Sequence, residues 1–295
     1  MAARARIHAQ LATPGEPGRQ TSNTPSDFRR PQSIITMNNK ICYITSSPSS
    51  VKPSRMSNQF VQKLSGLAEL SPNDVAALEA ATARPRRYAA RQDLIREGDE
   101  PGPMFVVLEG WVCRYKILPT GTRQIVAFLM PGDACDLHIK LLAEMDHSIQ
   151  TITAARVATI SRSEIDALMD NHPNIARAMY IAQLVDEGVM RAWIVSIGRR
   201  TSPQRVAHLI CELYLRAHNV GMTTGESFDL PISQIILADA LGMTAVHINR
   251  VLKELRLAGA MAVNRGSVTI SNPVRLVQIA GFDENYLHRR LRRLI

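Results

Sequence analysis

The sequence lacks any apolar run near the ~18 residues a helix needs to cross a bilayer, which predicts a soluble, cytoplasmic protein with no membrane partner. Cysteine is scarce. The four present, Cys42, Cys113, Cys135 and Cys211, are scattered without CxxC spacing. That argues against a zinc site and for a reducing compartment, and no metal or other cofactor is expected. Catalytic signatures are missing as well: GxSxG, the P-loop, HExxH and a paired Cys/His set. An enzyme is therefore not expected. Acidic residues are outnumbered, 26 against 35 Lys and Arg in 295 residues.

The excess of positive charge is uneven. Residues 1–56 carry net +6, residues 57–200 net −1 and residues 201–295 net +4. A basic C-terminal third beside a neutral middle fits a surface for phosphates at that end. Residues 1–56 are rich in Ser, Thr, Pro, Asn and Arg, show no sustained apolar periodicity and read as a disordered extension. Their Arg-rich, acid-poor opening has a faint likeness to an organelle-targeting segment. Translation from Met37 or Met56, just before the first patterned stretch, is an equal alternative.

Residues 229–271 carry the strongest local pattern. Residues 232–241 have Ile235, Ile236, Leu237 and Leu241 at helical spacing. Gly242 follows, where a turn between helices favours positive φ, and Ala238 is small enough for two helices to cross. Thr244 then suits the N-cap of a second helix over 245–256, with Ile248, Val251, Leu252 and Leu255 on its inner face. His247, Asn249, Arg250 and Lys253 fall on the outer face, where they are donors suited to base edges and phosphates. Two short β-like runs, 261–263 and 267–270, joined by Asn264-Arg265-Gly266, read as a basic-tipped hairpin wing. The plainer alternative is a helical hairpin and a β-hairpin inside some other fold.

Upstream, Ser71, Pro72 and Asp74 signal a helix start. Glycines 98, 110, 121 and 132 then punctuate short apolar runs, the spacing of hairpin-connected strands in a sandwich or jelly roll. The strands expected are 104–108, 111–117, 124–129, 150–153 and 156–160, followed by a helix over 163–169. The stretch 173–199 is the longest helix, with Ile181, Leu184, Val185, Val189, Ala192 and Val195 near one face. That face serves either the helix's own sheet or a two-fold dimer seam, which a symmetric DNA site favours. A helix over 203–217 and a polar loop over 218–227 complete the chain.

This order resembles the Crp/Fnr family of bacterial transcription regulators, over about residues 70–281. The resemblance rests on Gly98-Asp99, Gly110-x-Val112, Pro131-Gly132-Asp133 and Leu241-Gly242-Met243-Thr244…Asn249-Arg250-Val251-Leu252-Lys253. It implies an α+β chain with a β-roll sensor domain (57–172), a long dimerisation helix (173–200) and a winged helix-turn-helix domain (201–295). It further implies a homodimer on double-stranded DNA, with an inverted-repeat site and RNA polymerase as a partner. The DNA-contacting residues implied are Thr244, Ala245, Val246, His247, Asn249, Arg250, Lys253 and Arg265, with Arg250 where the family carries its guanine-reading arginine. The preceding positions usually include a glutamate; here they are Ala245, Val246 and His247.

The sensor end departs further from the family. Cyclic-nucleotide-binding members carry a Gly-Glu pair and an arginine followed by a small residue. Cys135-Asp136 and Asp146-His147-Ser148 stand in those places, and these make Cys135, Asp136, His147 and Ser148 the candidate effector pocket. A histidine lacks arginine's fork and Asp146 repels a phosphate, so weak or absent cyclic AMP binding is expected. Cys135 and His138 lie roughly where the haem-sensing members keep their iron ligands, whereas Cys42 alone cannot supply an iron–sulfur cluster. The alternative is a cyclic-nucleotide- or haem-dependent sensor whose ligand gates DNA binding. A cyclic-nucleotide module serving a channel or kinase would not carry the wing and the basic C-terminal third.

Overall fold

The computed structural model describes residues 57–135, 137, 142–264 and 266–288; residues 1–56, Asp136, His138 and Arg265 lie outside the described residues, as do the expectations that fall on them. All described residues belong to one compact unit, Ile41–Ile295.

Two helices come first, α1 (Gln59–Ser65) and α2 (Pro72–Ala81). Ser71 Oγ accepts from the Asp74 N–H at 3.2 Å and Asp74 Oδ2 accepts from the Ser71 N–H at 2.8 Å, a reciprocal cap that starts α2. The strands β1 (Arg86–Tyr88), β2 (Asp93–Ile95), β3 (Met104–Glu109), β4 (Val112–Ile117), β5 (Arg123–Leu129), β6 (Ala134–Cys135), β7 (Ser148–Thr151) and β8 (Ala155–Ile160) follow. They form two antiparallel four-stranded sheets, ordered β1-β8-β3-β6 and β2-β7-β4-β5. The seventh strand begins two residues earlier than the sequence predicts, because Ser148 pairs with Tyr115.

Alternation explains why β3 is apolar throughout. Phe105 and Val107 face the roll interior with Val112, Cys135 and Ile149, whereas Met104, Val106 and Leu108 face α1 and the helices that follow the roll. At the β3–β4 turn Gly110 has φ 82°, and a Cβ there would lie 2.3 Å from the Ala154 carbonyl oxygen.

After α3 (Arg162–Asn171), α4 runs over Pro173–Arg199, the bounds the sequence predicts. Its faces differ from the expectation. Val189, together with Ile175, Ala178, Met179 and Trp193, packs into the chain's own cores, and Val185 leans on the same side. The exposed apolar stripe instead comprises Tyr180, Leu184, Met190, Ile194, Val195 and Ile197. The helix is apolar on two sides, so periodicity alone merges one residue set from both.

The C-terminal part comprises α5 (Ser202–Asn219), β9 (Thr223–Thr224), β10 (Ser227–Asp229), α6 (Gln234–Leu241), α7 (Ala245–Leu257), β11 (Ala262–Asn264), β12 (Ser267–Thr269), α8 (Pro273–Ala280) and a 3-10 turn, Glu284–Leu287. The segment expected to be a polar loop contains β9 and the start of β10. These extend the wing hairpin to a four-stranded sheet ordered β11-β12-β10-β9. One apolar core crosses from the roll to this part: Trp111, Tyr115, Ile125 and Phe128 of β4, β5 and their flank meet Trp193 of α4, most of α5, and Leu237 and Leu241 of α6. Phe128 stands edge-on between Trp111 and Trp193, with ring centroids 6.5 and 5.8 Å away.

Charges are also buried at this junction. Asp133, 5% exposed, binds Lys63 Nζ at 2.8 Å and Arg216 Nη2 at 2.6 Å. Burial alone would raise its carboxyl, but the two cations outweigh burial and hold it at about 2, below the ordinary 3.8. A depressed folded pKa contributes stability that is present above the unfolded value and lost as pH falls toward the folded one. Asp133 should therefore supply about 2 kcal/mol that disappears between pH ~4 and ~2. Urea unfolding across that range should show a shallower acid slope in Asp133→Asn than in the parent chain.

Candidate nucleic-acid interface

The helix-turn-helix is built from short-range chemistry. Ser233 Oγ accepts from the Ile236 N–H at 3.3 Å, so α6 begins at Gln234 rather than at Ile232. Gly242 ends it at φ 64°, ψ 45°, with the Met243 N–H returning to the Ala238 carbonyl at 3.1 Å. Thr244 Oγ1 accepts from the His247 N–H at 3.2 Å and starts α7. The two helices are bent 98° from one another, within the range of a helix-turn-helix.

Helix α7 is sharply two-sided. Ile248, Val251 and Leu255 are buried and Leu252 partly so. On the opposite side Val246, Asn249, Arg250 and Lys253 are all exposed, with Thr244 before them and Ala245 and His247 half-buried at the flanks. Arg250 Nη2 donates to His247 Nδ1 across 3.2 Å, which steers the guanidinium along the helix. The arrangement is a rod of roughly 10–12 Å diameter, apolar behind and donor-bearing in front, and a B-DNA major groove roughly 12 Å wide admits it. The wing turn reaches Gly266 at φ 85°.

Three residues that sequence patterning does not single out hold this unit in place. The last carbonyls of a helix need donors. Gln124 Nε2 in β5 donates to the Ala240 carbonyl at 3.2 Å and Arg205 Nη1 in α5 to that of Leu241 at 3.2 Å. Arg123 Nε in β5 donates to Asp239 Oδ2 at 2.9 Å. The first helix of the motif is thus tied to the roll. A second tie lies further on. Glu212, fully buried, accepts from Trp193 Nε1 at 3.1 Å, Tyr286 Oη at 3.0 Å and Arg216 Nη1 at 3.3 Å. Gly188 is the notch that admits the 3-10 turn onto α4, since a Cβ there would lie 2.5 Å from the Tyr286 carbonyl oxygen. A glycine in mid-helix is the one sequence signal of this contact.

Of the residues expected to form an effector pocket, Cys135, His147 and Ser148 are among the described residues and Asp136 is not. Cys135 in β6 points into the apolar roll interior, and β6 and β7 belong to different sheets. Ser148 Oγ accepts from the Glu97 N–H at 2.9 Å, and His147 Nδ1 lies 2.6 Å from Asp146 Oδ1. Burial pushes the Cys113 thiol up to about 12 and raises that of Cys211, as expected of packed rather than reactive thiols. A cavity of about 1310 Å³ opens outside the roll, among α1, α2, β5, α4 and α5. Of the charges that line it, Lys63 and Arg216 pair with Asp133 and Arg114 pairs with Asp186; Glu79 lines it as well. Among the described residues, His, Cys, Asp and Glu side chains nowhere gather into a group that could hold a metal ion.

Residues 85–172 match the model of a cyclic nucleotide-binding domain and residues 204–279 that of a Crp-like helix-turn-helix domain. The chain is 28% identical over 194 residues to the nitrogen fixation regulation protein FixK of Bradyrhizobium diazoefficiens, covering 65% of this chain and 80% of that one. It is 24% identical over 216 residues to the fumarate and nitrate reduction regulatory protein of Escherichia coli, covering 73% and 86%. The structure of FixK2 from Bradyrhizobium japonicum shares the fold, with a TM-score of 0.60 at 23% identity, over 66% of this chain and 96% of that chain. The two models together span more than half of the sequence, in the order roll then helix-turn-helix, and the chain belongs to the Crp/Fnr family of DNA-binding transcription regulators.

Proposed function

We propose that the chain works in the cytoplasm as a homodimer that sets two copies of α7 into successive major grooves of an inverted-repeat site, about 34 Å apart. The observation that carries this reading is the pair of solvent-facing surfaces on two helices. Helix α7 turns Val246, Asn249, Arg250 and Lys253 to solvent, and α4 exposes a second apolar stripe in which Ile194 is 70% exposed. Burying such a stripe against its own copy removes it from water and gives the two-fold axis a palindromic site needs. In this reading Arg250 reads guanine, Asn249 reads adenine, and Thr244, Lys253 and Arg265 bind phosphates. The exposed Ile117 and Leu118 at the β4–β5 turn support a protein partner, RNA polymerase for a transcription regulator.

Sedimentation tests the assembly. The parent chain should be dimeric at micromolar concentration. The pair Leu184→Asp and Ile194→Asp should raise the dissociation constant about 100-fold or more, because a buried unpaired carboxylate costs several kcal/mol. A parent chain that stays monomeric with and without DNA would contradict the proposal.

Gating by a small-molecule effector is the second reading. The ties of Arg123 and Gln124 to α6 favour it, since they give a change in the roll a direct mechanical route to the DNA-reading unit. Cys135, Asp136, His147 and Ser148 remain its candidate contacts.

A further inference from the structure

The first two turns of the exposed face of α7 carry one large side chain that can neither donate nor accept a hydrogen bond. Val246 is the second residue of the helix and 83% exposed, the highest exposure among the large apolar residues described. It lies on the same side as Asn249 and Arg250, one turn before the arginine. Residues in the first turn of a recognition helix are the ones that meet base edges. We infer that Val246 reads the 5-methyl group of a thymine, so that each half-site carries a required T·A pair beside the guanine read by Arg250. This rests on α7 entering the major groove.

Chemistry selects thymine among the four bases. Its methyl is the one apolar feature that a base pair presents in the major groove. A valine over cytosine or adenine would cover an amino donor without accepting from it, which leaves that donor stripped of water. The one carboxylate of α7, Glu254, lies roughly 12 Å further along the axis and cannot serve as acceptor at that base. Valine is also suited to the task in shape. Its branched Cβ holds essentially one rotamer in a helix, so the methyls are already in place before DNA arrives. Ala245 beside it is small and leaves the approach open. Val246 and Arg250 are about 6 Å apart along the helix, which sets the thymine about two base-pair steps from the guanine. The hydrogen bond from Arg250 to His247 draws the guanidinium toward the far flank of the helix and leaves the valine unobstructed.

The test uses the full-length protein and an operator recovered by selection from random duplexes. Each thymine is replaced in turn by deoxyuridine, which deletes the methyl and leaves pairing intact. At one position per half-site, affinity should fall about fourfold for each methyl removed, the factor for deleting one buried CH₂-sized group. Val246→Ala should bind thymine and uracil at that position equally, and Val246→Glu should shift the preference there toward cytosine. If deoxyuridine at every thymine leaves the affinity of the parent chain unchanged while Arg250→Ala still flattens the guanine preference, the methyl contact is refuted and the groove reading stands. If selection returns no operator, both fall.

Discussion

Arg250→Ala is expected to weaken binding to the preferred operator by about 1–3 kcal/mol and to flatten discrimination at one base pair per half-site. The guanidinium is exposed, sits on the front of α7 and is held by His247 Nδ1 at 3.2 Å, which reduces the rotamer freedom it gives up on forming a bidentate pair with guanine O6 and N7. Arg265→Ala, which falls in the sequence between β11 and β12, should weaken specific and random DNA by similar factors. It should also lower the salt slope by about one unit for each phosphate that the arginine neutralises, doubled in a dimer. Binding of both variants to a panel of single-base operator changes at two salt concentrations separates the roles. An even decrease across every operator for Arg250→Ala would make it a phosphate clamp, with Asn249, Val246 and Ala245 left as the readers.

The second large effect concerns Glu212. Glu212→Ala strands Trp193 Nε1, Tyr286 Oη and one end of Arg216 in the interior, and should cost about 3–5 kcal/mol of stability. Glu212→Gln should cost far less. Burial raises the Glu212 carboxyl above its ordinary range and outweighs the opposing pull of Arg216 and the hydrogen bonds, so a neutral amide resembles the form that burial favours. Because a raised folded pKa confers stability at low pH that is lost as pH climbs, the gap between Glu212→Gln and the parent should shift in favour of the amide at alkaline pH. Urea unfolding of the three chains at two pH values reads both effects; an alanine variant as stable as the parent would show that the cluster holds nothing together.

The helix-turn-helix is legible in the sequence because its signals are local. Gly242 and Thr244 each act within four residues, and Ile248, Val251 and Leu255 keep a clear apolar spacing, whereas the Ser233 cap, which moves the start of α6 to Gln234, is not read from the sequence. The bounds of α4 are legible for the same reason, with Pro173 at its first position. Its faces are not. Val189 and Leu184 are both apolar, and only the position of the roll decides that one turns inward and the other out. The strands β9 and β10 escape because two or three residues between Gly221 and Gly225 or Pro231 carry no period; β10 exists through pairing with β12, and β9 through pairing with β10. Glu212 and Arg216 stand four apart on α5, a spacing that by itself gives no sign of burial; that comes from α4, the roll and the 3-10 turn closing over them. The candidate effector residues follow from the family resemblance rather than from any local signal, and the fold sets Cys135 and Ser148 on different sheets.

The core that runs unbroken from Trp111 and Phe128 through Trp193 to Leu241 bears on how such regulators can be recombined. A cut between α4 and α5 would not release two finished modules. It would strip the outer face of one sheet, leave the Ala240 carbonyl of α6 without Gln124, and open a greasy wound on each half. Grafting this DNA reader onto a foreign sensor would require transplanting Tyr115, Ile125 and Phe128 with it, so that the exchangeable unit is the reader together with the sheet surface on which it rests.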